Sequence, residues 1–278
     1  MSSLVSVSEV QALLSEGAPV RLIDVRWRLD RPNGHEDYLR GHIPGAVYVP
    51  LDTELSTHGE PSEGRHPLPT TETLQTAARR WGVRQGDIVI AYDDAKSTAA
   101  ARAWWLLRQA GTDVRVLDGG LRAWSAAGEP LATDDVAPEP GDVILDPIGR
   151  DALSIDEAAA FPASGVLLDV RAPERYRGET EPLDPVAGHI PGARNLPTML
   201  HLDAEGRLLD AETVRANFAR VGVTAGTPVA AYCGSGVTAA HTALILSEVG
   251  IEAKVFPGSW SQWSNTPDRP VATGDQPG

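Results

Sequence analysis

The sequence predicts an α/β chain of two homologous domains, each a mostly parallel β-sheet flanked by helices. Three observations carry this expectation. The chain repeats itself in order over most of its length. Within each copy, short apolar runs of strand length alternate with helical segments, the pattern of βαβ units. A stretch rich in Pro and Asp and without periodicity, residues 133–141, separates the copies. The boundaries that follow are a first domain over 1–132, a linker over 133–150 and a second domain over 151–278.

Taken in order, each copy opens on a capping box, Ser6-Val-Ser-Glu9 and Ser154-Ile-Asp-Glu157, which marks a helix start. A strand then ends in Asp24-Val-Arg26, and later in Asp169-Val-Arg171. Gly41-His42-Ile-Pro-Gly45-Ala is matched by Gly188-His189-Ile-Pro-Gly192-Ala. The apolar runs ending at Tyr92 and Tyr232 match, and each leads through a loop into an Ala-rich helical segment, Thr98 to Ala110 and Thr238 to Val249. Last, Val116-Leu-Asp-Gly119 matches Val255-Phe-Pro-Gly258. The offset drifts only from 148 (Ser6 to Ser154) to 139 (Val116 to Val255), too regular for chance.

Composition narrows the function. A net charge of −14 disfavours nucleic acid and anionic membranes as partners, because both need clustered Lys and Arg. An anionic small substrate then needs a local cation working against the global field. One cysteine in 278 residues allows no internal disulfide, no multi-cysteine metal site and no resolving thiol. No cofactor or metal is expected. The N-terminal residues show no signal-peptide pattern and no apolar stretch reaches the length of a membrane span, so a cytoplasmic location is expected.

The repeat serves as an internal control: a feature in both copies reads as fold, a feature in one copy as function. Asp24 and Arg26 match Asp169 and Arg171, and read as a brace at a strand end. His42 and His189 sit in a turn motif and read as structural. The loop after the fourth apolar run differs. The first copy reads Asp93-Asp-Ala-Lys-Ser-Thr98 and the second Cys233-Gly-Ser-Gly-Val-Thr238. The thiol stands where the first copy has a carboxylate, with Gly234 and Gly236 beside it. A buried filler cysteine needs no such glycines, whereas a nucleophile at a strand end and helix N-terminus does. Arg175 is a second asymmetry, with Asp30 at the matching position. A lone arginine is usually just exposed, but here it follows a strand end of the thiol-bearing copy and can fork onto a carboxylate.

A cysteine phosphatase needs an Arg six residues after the Cys, and Ala239 stands there. A cysteine protease needs a basic partner, and most of the seven histidines lie in the first copy. Sulfur transfer needs only one cysteine: the thiolate takes a donor's sulfur as a persulfide and passes it on. The amides of residues 233–238 would stabilise the Cys–S–S⁻ anion.

With these residues in view, the two copies resemble tandem rhodanese domains over Ser6 to Trp263. The resemblance rests on Asp-Val-Arg, Gly-His-Ile-Pro-Gly-Ala and Cys-Gly-Ser-Gly-Val-Thr in that order. It implies an inactive first domain and a catalytic second one. Thiosulfate-type rhodaneses carry two cations after the cysteine. Gly234 and Ser235 are uncharged, and the loop is similar to that of 3-mercaptopyruvate sulfurtransferases. The resemblance implies that Arg171 and Arg175 contact a small anionic donor. It implies Ser235 as a proton relay, with His42 behind it. Where the family has an acidic partner upstream of that histidine, this chain has Asn33. The expected reaction takes sulfur from 3-mercaptopyruvate to a thiol (a small thiol or a thioredoxin-like protein) or to cyanide, releasing pyruvate. Thiosulfate is the alternative donor, and a non-enzymatic persulfide carrier the alternative class.

Overall fold

The computed structural model describes residues 2–278. The chain divides into two compact units: residues up to Thr57 with Leu68–Arg150 and Asp203–Leu208, and His58–Pro67 with Asp151–Leu202 and Leu209–Gly278.

The first unit contains β1 (Leu4–Val5), α1 (Val7–Ser15), β2 (Val20–Asp24), α2 (His35–Arg40), β3 (Val47–Tyr48), α3 (Thr71–Arg80), β4 (Ile88–Tyr92), α4 (Thr98–Gln109), β5 (Asp113–Leu117) and α5 (Gly120–Ala126). Its five strands run parallel in the order β1-β5-β4-β2-β3. The second unit contains α6 (Ile155–Ala160), β6 (Val166–Asp169), α7 (Pro173–Tyr176), β7 (Arg194–Asn195), α8 (Ala211–Ala219), β8 (Val229–Tyr232), α9 (Val237–Glu248), β9 (Ala253–Val255) and α10 (Ser259–Asn265). Its four strands are also parallel, in the order β7-β6-β8-β9. The place of a fifth strand is taken by a single parallel bridge between Ala152 and Val255.

The repeat is visible atom by atom. Both capping boxes form: the Ser6 and Ser154 hydroxyls accept the Glu9 and Glu157 amides, and the two glutamates accept back from the serine amides. The Tyr92 and Tyr232 hydroxyls each accept a backbone amide, from Ile43 and Ile190, at 3.1 Å. The second core gathers Leu167, Ile190, Ala230, Tyr232, Phe256, Trp260 and Trp263. Helix α9 is apolar almost all round and correspondingly buried, so it is packed on every side rather than amphipathic. Parallel pairing brings the carboxyl ends of all strands to one edge, where ligands of open α/β sheets bind.

The expected linker is part of the first unit instead. Gly141 N–H donates to Arg79 O at 2.7 Å and Asp146 N–H to Ala110 O at 3.1 Å. A Cβ on Gly141 would lie 1.8 Å from Val83 O, so only glycine allows this approach. The stretch lacks periodicity because it packs by backbone contact, not by an amphipathic face. No helix among the described residues is long and apolar enough to cross a membrane.

Candidate active site

The site is built where β8 meets α9. Cys233 follows Tyr232 directly and is only 3% exposed. The chain turns at Gly236, whose φ of +81° is a left-handed value, and whose Cβ would lie 2.4 Å from Pro257 O. That turn aims the Gly236 N–H at the Cys233 sulfur, 3.1 Å away. Val237 and Thr238 open α9, so their amides are among those without an intrahelical acceptor. The outer side of the loop is held by the start of α10. Trp260 N–H donates to Cys233 O at 3.0 Å and Ser261 N–H to Gly234 O at 2.9 Å. Ser259, itself at φ +54°, accepts the Cys233 N–H at 3.1 Å. With the Cys233 and Gly234 carbonyls tied to α10, the loop presents the Gly236 N–H to the sulfur, while the Cys233 N–H is taken up by Ser259.

The first unit shows what such a loop does with a fixed anion. The Asp93 carboxylate accepts the amides of Ala95 and Ser97 at 2.8 Å and of Ala99 and Ala100 at 2.9 Å. Burial pushes this carboxyl up to about 6 against the downward pull of those amides. The cradle of the first copy is thus filled by its own side chain.

Ser235 has a histidine partner, and it is not His42. His66 Nδ1 lies 2.7 Å from Ser235 Oγ, and both residues are buried. His42 is in the first unit. Its Nδ1 faces Tyr38 O at 2.9 Å, and its ring stacks on Tyr38 at 3.9 Å. His189 makes the same contacts with Tyr176, at 2.8 Å and 3.7 Å. The placement of a relay at His42 is therefore corrected: both motif histidines brace their turns. Asn33 accepts the His35 amide, a local loop bond.

The cations are also rearranged relative to expectation. Arg171 donates to both Asp169 oxygens, to Gly188 O and to Glu181, and its side chain is 2% exposed. Arg26 repeats this with Asp24 and Gly41 O. Arg171 is the second copy's brace, with its guanidinium donors engaged by Asp169, Gly188 O and Glu181. Its guanidinium also stands 4.7 Å from the Trp260 ring centroid. Arg175 does reach the loop: a Cβ on Gly234 would sit 3.6 Å from its Nη1. It forks onto Glu181 at 2.6 and 3.2 Å, so its charge is held rather than free. Arg65, not expected from the sequence, flanks the same glycine at 3.8 Å and pairs with Asp184 at 2.5 Å. Burial raises the Asp184 carboxyl, with the Arg65 charge opposing that rise. The local ionic set is Arg65, Arg171 and Arg175 against Asp169, Glu181 and Asp184, equal in number.

His66 and Arg65 escaped the sequence reading because residues 58–67 precede the second copy by some distance yet belong to its unit. A signal existed. Glu63-Gly64-Arg65 recurs as Glu205-Gly206-Arg207 at an offset of 142, within the drift of the other matches. The second triplet belongs to the first unit, so the two copies trade this segment. By the internal control, His66 stands out, since Leu208 holds the matching place.

Comparison with known proteins places this site in a group. The model of the rhodanese-like domain matches residues 6–127 and 154–266. The "Putative thiosulfate sulfurtransferase SseB" of Mycobacterium tuberculosis is 46% identical over 98% of this chain and 97% of the relative. The "3-mercaptopyruvate sulfurtransferase" of Escherichia coli is 36% identical over 91% of this chain and 92% of the relative. The crystal structure of SseA from Escherichia coli, described as a 3-mercaptopyruvate sulfotransferase, superposes with a TM-score of 0.81 at 33% identity, covering 94% of this chain and 99% of that one.

Proposed function

This chain belongs to the rhodanese-like family, and from that premise we propose that it moves sulfur from 3-mercaptopyruvate to a thiol or cyanide through a Cys233 persulfide. That it is a sulfurtransferase enzyme follows from its full-length relatives. The choice of donor rests on one observation, the Ser235–His66 pair beside the sulfur cradle.

The Cys233 thiolate attacks the donor sulfur, forming an S–S bond. The C–S bond breaks and its electron pair goes to carbon, leaving the enolate of pyruvate. That carbon must gain a proton before pyruvate departs. The Ser235 hydroxyl supplies it and draws a replacement through His66, and the balance closes with the donor thiol's own proton, released as the outer sulfur becomes Cys–S–S⁻. The Cys–S–S⁻ anion that remains is stabilised by the loop amides, as an oxyanion would be. An acceptor thiolate or cyanide then attacks the outer sulfur and returns the Cys233 thiolate, with no net oxidation. The acceptor fits a small thiol or a thioredoxin-like protein, and a cytoplasmic location suits a reduced thiol.

Thiosulfate is the second reading, and a specific observation favours it. Two guanidiniums, those of Arg65 and Arg175, approach Gly234, where the loop's own sequence offers no cation. The Mycobacterium relative named for thiosulfate agrees with it. Sulfite, however, leaves as a stable anion and needs no carbon protonation, so that reading gives the serine–histidine pair nothing to do. Steady-state kinetics with each donor, using cyanide as acceptor, decide the matter. The expected result is a higher kcat/KM for 3-mercaptopyruvate; a higher value for thiosulfate would reverse the assignment.

A further inference from the structure

We infer that Ser259 is a positioning residue for the nucleophile: its hydroxyl is spliced into the β8–β9 ladder at the thiol and sets where the Cys233 sulfur stands on its amide cradle. This deepens the sulfurtransferase reading above and rests on it for the rates it predicts, though not for the geometry.

The ladder shows the splice. Strands β8 and β9 pair in parallel, with Val229 beside Ala253 and Ala231 beside Val255. Phe256 N–H donates to Ala231 O at 2.9 Å. In a parallel ladder the next rung would run from Cys233 N–H to Phe256 O. The Ser259 hydroxyl stands in that rung instead, accepting the Cys233 N–H at 3.1 Å and donating to Phe256 O at 2.9 Å. Phe256 and Ser259 are fully buried and Cys233 nearly so, which makes an unpaired backbone group costly here. One oxygen therefore satisfies both groups, and the two strands part at the thiol without an orphaned donor. The Cys233 backbone leaves the sheet at a fixed place, and from there its sulfur meets the Gly236 N–H at 3.1 Å.

Serine is not the residue this backbone prefers. Ser259 has φ +54°, in the left-handed region where glycine costs least. Its repeat partner, at the offset of 139 that also relates Val116 to Val255, is Gly120 at φ +56°. The surrounding pattern is shared: Leu121 N–H donates to Asp93 O at 2.9 Å, as Trp260 N–H does to Cys233 O at 3.0 Å. A Cβ on Gly120 would overlap Asp93 O, so the first unit has no room for a side chain there. The second unit makes that room and bears the strain of a serine. Strain held at a buried residue points to what the residue does, and the partners of this hydroxyl include the nucleophile's own amide. The unit without a thiol does without the hydroxyl.

The test compares Ser259→Gly and Ser259→Ala with the unmodified protein. Glycine is what the first unit carries at this backbone conformation, so Ser259→Gly should fold with a melting temperature at or above the parent's. Both variants leave the Cys233 N–H without its acceptor. Hydrogen exchange over residues 229–238, followed by mass spectrometry, should quicken about tenfold or more in each. Single-turnover persulfide formation on Cys233 should slow about ten- to hundredfold, the range for misplacing a reacting group by about an ångström. The loss should be equal for 3-mercaptopyruvate and thiosulfate, because the same sulfur attacks both. The donor concentration giving half the maximal rate should stay within about threefold, because both partners of the hydroxyl are main-chain groups. A serine that only braced the fold would lower the melting temperature without this split between rate and half-saturation. A rate equal to the parent's in Ser259→Gly would overturn the positioning role, as would unchanged exchange or a loss confined to one donor. If the unmodified protein forms no persulfide with either donor, the sulfurtransferase reading fails by itself. The exchange measurement uses no turnover and still decides whether Ser259 holds the loop.

Discussion

Replacing Ser235 by Ala should separate the two donors. The hydroxyl stands 2.7 Å from His66 Nδ1, in a site where both residues are buried, so water does not readily substitute for it. General acid–base assistance of this kind contributes roughly 10²- to 10⁴-fold, or about 3 to 5 kcal/mol of barrier. With 3-mercaptopyruvate, whose enolate must be protonated, kcat should fall by about that factor. With thiosulfate the change should stay within about threefold, since sulfite departs without a proton on carbon. His66→Gln should follow the same pattern more weakly, because Gln can still hydrogen-bond the hydroxyl but cannot pass a proton. The assay is single-turnover persulfide formation on Cys233, followed by mass spectrometry with each donor. Equal losses for both donors would refute the relay, and leave Ser235 as a positioning group only.

Two further outcomes concern stability. Burial holds His201 down at about 4 and His241 down at about 3, with the His201 charge adding to the latter. The unfolded chain protonates them near 6.5, so it binds protons first as pH falls; this part of the second unit's stability is present above 6.5 and lost below it, by about 2 kcal/mol per histidine at pH 5. In the first unit Asp93, pushed up to about 6, has the opposite sign and gains stability as pH falls through that value. Denaturant unfolding at pH 7 and pH 5, with His201→Phe flattening the second unit's response, checks both. Gly236→Ala should cost about 1 to 3 kcal/mol, since it forces an L side chain to φ +81° against Pro257 O. It should also slow persulfide formation by turning the amide away from the sulfur; an unchanged melting temperature and rate would remove that role.

Much of this molecule is legible in the sequence. The capping boxes, the Asp-Val-Arg braces and the turn motifs form as their spacing implies, because each is satisfied within a few residues or by the neighbouring strand. Cys233 and its glycines are legible for the same reason. The histidine partner of Ser235 is not, because Ser235 and His66 lie 169 residues apart and chain order assigns His66 to the other copy. Nor are the carboxylate partners of Arg175, Glu181 and Asp184, which lie in a loop without a counterpart motif. An uncharged loop sequence does not make an uncharged site when arginines arrive from elsewhere.

The traded segment has a consequence for how this gene can be cut. Residues 151–278 carry the thiol, its amide cradle and Arg175, and look like a self-sufficient enzyme on paper. They lack His66 and Arg65, which the chain supplies from before residue 68. A half expressed alone would carry Ser235 without the histidine that faces it. The segment before residue 68 is part of the unit that carries the thiol, so a cut at residue 150 separates that unit from a piece of itself.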